Sequence, residues 1–140
     1  MNEIAKVNGK DLRISTKESI EICNFIRNRN LGKARQLLEQ VLKQKIAVPY
    51  KIFNTDTGHK PGIAAGRYPR NASIAIIGLL NSVEANAENM GLNKNNLFIS
   101  KIIANKASRG YHSGRKRRRK MKGTHIYIEV AEKSKKEAKK

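Results

Sequence analysis

A single cysteine, Cys23, stands in the whole 140-residue chain. That excludes an intramolecular disulfide and a four-cysteine zinc site, and it suits a reducing compartment. Long apolar runs are missing too. None approaches the ~18 residues of a membrane span, and the polar N-terminus has no secretory hydrophobic region. These absences predict a soluble, intracellular protein. Catalytic signatures are also absent: there is no phosphate-binding Walker loop, no GxSxG and no HExxH. His59, His112 and His125 fall in three separate segments without ligand spacing. Glu84 and Glu88 stand four apart and read as the solvated side of a helix rather than an acid–base pair. No catalytic residue, metal or cofactor is expected.

Acidic residues are scarce, with 11 Asp and Glu against 30 Lys and Arg, for a net charge of +19. Self-repulsion of that size weakens a compact state unless a partner neutralises it. Nucleic acid is the favoured neutraliser and an anionic membrane surface the alternative. The charge is concentrated. Residues 106–123 carry nine cations and no acid, six of them consecutive from Arg115 to Lys120. The last eight residues, KSKKEAKK, add +4. The two segments hold +13 of the total, so the remaining body is only mildly basic.

That body has the periodicities of a folded core. Leu12 and Ile14 in "DLRIS" alternate as in a short strand, and Ser15 to Glu18 form a capping-box pattern opening a first helix. Ile20, Ile22, Cys23 and Ile26 mark its apolar stripe, with Cys23 a small core residue. Asn30 can cap a second helix carrying Ala34, Leu37, Leu38, Val41 and Leu42, and Pro49 closes that region. Residues 50–68 show three Gly, one Pro and no period, which predicts a long loop that is either functional or held by a partner. Pro69 suits the first turn of a third helix of roughly 20 residues, buried along Ala72, Ile76, Leu79, Leu80, Val83 and Ala87, with Gly91–Leu92 as its C-cap.

Strands are expected at 97–105 and 124–130, where Ile126, Ile128 and Val130 alternate with His125, Tyr127 and Glu129. The basic segment joins them, so both its ends are pinned. It reads as an extended hairpin or long loop, not a free tail. As a regular hairpin, with ~3.3 Å per residue, it would project ~30 Å. A lone charged two-stranded ribbon is marginal in water, so its ordered form implies a partner.

The candidate interface residues follow from this layout. Arg109, Arg115, Arg117, Arg118 and Arg119 can fork onto phosphates, and Lys106, Lys116, Lys120 and Lys122 supply point charges. Tyr111 and His112 offer flat faces for unpaired bases. The plainer reading is a solvated basic loop or a localisation signal. A second surface comprises His59, Lys60, Arg67, Tyr68 and Arg70, with Arg67 and Arg70 at the start of the third helix, where N-terminal amides favour phosphate; its plainer reading is a surface connection. A DNA-compacting module would need a cationic recognition helix, whereas these cations crowd a β-type arm and a loop. An RNA-directed enzyme or chaperone lacks an acid–base constellation here.

Four segments carry a family resemblance: "LRIS" before the first helix, "AVPYKIFN", "GHKPGIAAGRYP" leading into "LLNSVEANAENMGL", and the "GR" at 114–115 with "HIYIEV" at 125–130. Over about residues 10–131 the chain resembles the large-subunit ribosomal protein twenty-two family, in its archaeal and eukaryotic branch. The resemblance implies an α+β fold of three helices on a small three-stranded antiparallel sheet, with a long basic β-hairpin at about 104–124. Residues 1–132 would form one domain and 133–140 a basic disordered tail. It further implies a structural constituent of the large ribosomal subunit, ribosome-bound in the cytoplasm. Such a protein binds large-subunit rRNA, bridges rRNA domains in assembly and lines the exit tunnel with its arm. Its partners would be rRNA, neighbouring ribosomal proteins and the nascent polypeptide, with neither DNA nor membrane. Where family tips commonly carry Pro-Arg-Ala before Gly-Arg, the segment from Arg109 to Arg115 reads "RGYHSGR".

Overall fold

The structure is a computed structural model and describes residues 4–132; the predicted tail, 133–140, lies outside the described residues. In chain order the elements are β1 (Ile4–Leu12), α1 (Thr16–Ile26), α2 (Leu31–Leu42), β2 (Val48–Pro49), β3 (His59–Lys60), β4 (Ile63–Arg67), α3 (Arg70–Asn89), β5 (Leu97–Lys106) and β6 (Thr124–Glu132). The main sheet is antiparallel in the order β1-β6-β5. Helices α1 and α3 cover one of its faces, and α2 packs against α3 and β5. The α+β architecture of three helices on a three-stranded sheet is the expected one.

Alternation on β6 buries Ile126, Ile128 and Val130 completely, against Ile99 and Ile102 of β5 and the apolar faces of the helices. From α3 come Ala72, Ile76, Leu80, Val83 and Ala87, all fully buried. A cluster of this size, at roughly 25 cal/mol per Å² of apolar area removed from water, is what holds the domain against its charge. The α3 terminus is the expected one: Gly91 adopts φ +78°, Leu92 N donates to Ala87 O (3.0 Å) and Gly91 N to Glu88 O (2.9 Å). Asn30 caps α2 through its side chain, which accepts from Gly32 N at 3.0 Å. Cys23 is buried, and burial pushes its thiol up to about 12, so it is a core residue and not a nucleophile.

Several expectations need correction. The first strand lies upstream of "DLRIS", running from Ile4 and ending at Leu12, because it is pinned by pairing with β6 from Ile4↔Ala131 to Leu12↔Thr124. Ser15 takes the N-cap position of α1 without a side-chain cap, so the capping box does not form. On α1 the buried face includes Glu21, fully buried, while Ile20 is only half-buried. The predicted loop 50–68 contains two strands of a second three-stranded sheet, β2-β4-β3, whose strands are two to five residues long. Glu84 is buried instead of solvated: it pairs with Arg35 of α2 and with Lys94 at 3.2 Å, and Lys94 also reaches Glu88 at 2.9 Å. Pro69 occupies the N-cap of α3, one residue before the helix proper.

Candidate nucleic-acid interface

The arm is the continuation of β5 and β6 beyond their last ladder pair, Lys106↔Thr124. Regular strand stops there, but antiparallel contact does not. Ala107 N donates to Gly123 O (3.2 Å), Met121 N to Gly110 O (2.8 Å) and His112 N to Arg119 O (3.0 Å), with Tyr111 and Lys120 opposite each other. The tip turns through a 3₁₀ segment, Gly114–Lys116, in which Gly114 has φ +62°. The distal arm is therefore an irregular hairpin; its three Gly and six adjacent like charges, which repel along a regular strand, account for the irregularity.

The arm root is tied to the body through hydroxyls. Thr124, fully buried, donates to Ile14 O at 2.9 Å and lies 2.8 Å from the Thr16 hydroxyl, which also donates to Gly123 O at 3.3 Å. From Ser108 to Lys120 every residue is exposed, as are Lys106 and Lys122. Lys120 Nζ lies 5.5 Å from the centre of the Tyr111 ring, and Tyr111 remains 57% exposed. Gly114 and residues 115–119 line a shallow basic concavity at the tip. Among the described residues the ion pairs are Arg35–Glu84, Lys94–Glu84 and Lys94–Glu88, and the His125 ring lies 3.9 Å from the Asp11 carboxylate. None of the nine arm cations has an acidic partner among them.

The second predicted set is brought together by the small sheet. His59 and Lys60 form β3, Arg67 ends β4, and Tyr68 and Arg70 lead into α3. His59, Arg67 and Arg70 are exposed. Lys60 Nζ sits 5.5 Å over the Tyr68 ring, and the Arg67 guanidinium donates to Asp56 O at 3.2 Å. The N-terminus of α3 at Arg70 has no side-chain cap, leaving its first amides open. No hydrogen bond or ion pair among the described residues joins this set to the arm.

Three further features have little or no mark in the sequence. The Glu21 carboxylate accepts from three successive backbone amides, Lys51 (3.1 Å), Ile52 (2.8 Å) and Phe53 (2.7 Å), and so fastens the 50–57 loop to α1. Beside that loop lies a cavity of about 250 Å³, with Ser15, Lys17, Glu18, Tyr50, Thr55 and Arg67 in its wall. On the outer face of the main sheet, Asn8, Lys10, Asn105, His125 and Tyr127 line a polar groove. There the Tyr127 hydroxyl donates to Glu129 at 2.6 Å, which raises its pKa, and Asp11 N donates to His125 Nδ1 at 3.1 Å. Only the periodic alternation of β6 points to that face. Nothing local announces the other two, because the partners of Glu21 lie some thirty residues downstream.

Among the described residues no group of His, Cys, Asp or Glu is arranged to hold a metal, and no helix is long and apolar enough to cross a membrane. The arm offers exposed cations without an acidic partner among the described residues.

Comparison with known proteins agrees in direction. The family described as Ribosomal protein L22p/L17e matches residues 7–131. Large ribosomal subunit protein uL22 of Nanoarchaeum equitans is 43% identical over 140 residues, covering 94% of this chain and 80% of that protein. The protein of the same name from Methanosphaera stadtmanae is 44% identical over 107 residues, covering 74% and 70%. That of Thermoplasma acidophilum is 39% identical over 102 residues, covering 73% and 68%.

Proposed function

Because the chain belongs to the ribosomal protein L22p/L17e family, we propose that it is a structural, non-enzymatic constituent of the large ribosomal subunit whose arm binds large-subunit rRNA. Residues 1–132 act as one domain, with the arm at about 104–124 and a basic tail at 133–140. Contacts come from Lys106, Arg109, Tyr111, His112, Arg115 to Lys120 and Lys122 on the arm, and from His59, Lys60, Arg67, Tyr68 and Arg70 on the body. By bridging rRNA segments through these two separate sets, the protein serves assembly. Its arm reaches the wall of the polypeptide exit tunnel and so meets the nascent chain, and its remaining neighbours are other large-subunit proteins.

The observation that carries this reading is the arm itself: nine cations on a hairpin anchored at both ends, all exposed and none paired with an acid among the described residues. Such a surface exchanges counterions for phosphates on binding. Replacing Arg115, Arg117, Arg118 and Arg119 with Ala leaves the core folded by circular dichroism. The slope of log affinity for large-subunit rRNA against log salt then falls by about 0.7–0.9 for each phosphate no longer neutralised. An unchanged slope would mean the phosphates lie elsewhere. In whole ribosomes, crosslinks from residues 108–122 are expected at large-subunit rRNA beside the exit tunnel; crosslinks scattered over many RNAs would overturn the assignment.

A further inference from the structure

Tyr50 is only 6% exposed, yet its buried hydroxyl has no hydrogen-bond partner. Buried polar groups in folded proteins are nearly always paired, so an orphan calls for an explanation. The other orphaned side-chain atom among the described residues, Arg35 Nε, belongs to a guanidinium already paired with Glu84. The Tyr50 hydroxyl has no such compensation, and Tyr50 lines the cavity of about 250 Å³ between α1 and the 50–57 loop.

Apart from Ile52 and Phe53, which form its apolar part, most of the remaining lining fits an anion. Ser15 stands at the N-cap of α1 but gives its side chain to no cap bond, so the first-turn amides of an 11-residue helix are unsatisfied by it. Lys17 and Arg67 bring two cations to the same wall, and Thr55 and Thr57 add hydroxyls. Glu18 opposes them with one carboxylate. Burial pushes the Tyr50 phenol up to about 12, with Glu18 and Glu21 adding to the rise and Arg67 opposing it, so the hydroxyl remains a proton donor at neutral pH. The volume is below the ~300–1,000 Å³ of pockets for drug-sized ligands, which favours a small group over a whole metabolite.

We propose that this cavity is a seat for one phosphate of an RNA backbone, held by the Tyr50 hydroxyl, Lys17, Arg67 and the open N-terminus of α1. The position suits continuity with the arm, since Thr16, between Ser15 and Lys17, is hydrogen-bonded to the arm root at Gly123 and Thr124. Glu18 has a place in this scheme as acceptor for an adjacent ribose 2′-hydroxyl, a group that DNA lacks. The loop that closes the cavity is fixed beforehand by Glu21, which limits the rearrangement that binding requires. The proposal rests on the rRNA-binding reading above, and adds to it a site of which only Arg67 is marked as a contact by the sequence.

Tyr50→Phe separates binding from folding, because it deletes only the unpartnered oxygen. In the free full-length protein its melting temperature is expected to equal or exceed that of the parent, since a buried orphan is removed. Its affinity for large-subunit rRNA is expected to fall about three- to tenfold, the worth of one hydrogen bond, with the salt slope unchanged because no charge is removed. Arg67→Ala should lower both affinity and slope. The four-arginine arm variant serves as reference. If that variant binds more weakly while Tyr50→Phe binds as the parent does, the seat is refuted and the rRNA reading stands. If neither variant binds more weakly, the rRNA reading itself is overturned. A clear drop in the melting temperature of Tyr50→Phe would show that the hydroxyl has a structural partner, and would overturn the proposal. Inorganic phosphate at millimolar concentration tests the other source of the same chemistry: if it raises the parent's melting temperature more than that of Tyr50→Phe, and rRNA affinity is equal in the two, the cavity takes free phosphate and not RNA.

Discussion

Glu21 is a fully buried acid in a strongly basic chain, and its carboxylate oxygens accept from three successive amides of a loop thirty residues away. A carboxylate so placed does the work of a short strand: it satisfies backbone donors and fixes their direction. Glu21→Ala removes the acceptor and leaves those amides to find water or go unpaired. A loss of at least ~1–3 kcal/mol, the cost of one orphaned buried group, is expected in urea unfolding. Glu21→Gln, which keeps one carbonyl oxygen, should lose less. Equal stability of Glu21→Ala and the parent would show that the loop holds itself. Nothing in the sequence marks this residue. Glu21 stands between Ile20 and Ile22 on a helix, and an acid there ordinarily faces water.

At the scale of elements, legibility in the sequence follows pattern strength. α2, α3, β5 and β6 carry sustained periods of 3.6 or 2, and their burial follows those periods almost residue by residue. β1 extends where the sequence shows no strand, because its inward positions run through Ala5 and Gly9, small residues that give little alternation and that let α3 approach. The small sheet is invisible because β2 and β3, two residues each, have no period and β4, Ile63–Arg67, shows no alternation of apolar and polar residues. The arm, by contrast, is plain from charge alone, although its irregular distal pairing is not. Its root depends on close approach: a Cβ on Gly123 would lie 2.8 Å from Ser108 O and 3.3 Å from Ala107 Cβ. Gly123→Ala must therefore push the two arm strands apart where they leave the body. Amide chemical-shift changes are expected through 106–124 with the helices undisturbed, together with weaker rRNA binding. Shifts confined to Gly123 and its immediate neighbours would show that the root tolerates a side chain.

For the whole molecule the dominant quantity is +19 on a single small domain. Most of that charge is legible in the chain itself, on the arm and in the segment beyond residue 132. What only the fold reveals is how few of the remaining cations are neutralised by ion pairs among the described residues, since ion pairing depends on which side chains meet across elements. Self-repulsion in the free protein should be relieved by screening. The melting temperature is accordingly expected to rise between low and physiological ionic strength, the opposite of a protein held by surface ion pairs. A fall would mean that the Arg35–Glu84–Lys94 cluster outweighs the net repulsion.

The middle strand of the main sheet, β6, is the last described strand along the chain, and it pairs on one side with β1, the first. During synthesis the helices and both flanking strands leave the ribosome before the strand that unites them. Until β6 arrives, β1 has no strand partner, β5 pairs only with the 28–30 turn at Phe98 and Ile99, and the arm has only one end attached. Such a long-range closure is intrinsically slow, and it leaves unpaired edges exposed meanwhile. Completion of the core and the readiness of the arm are thus bound to one late event, so that a truncated copy has no pinned arm to present.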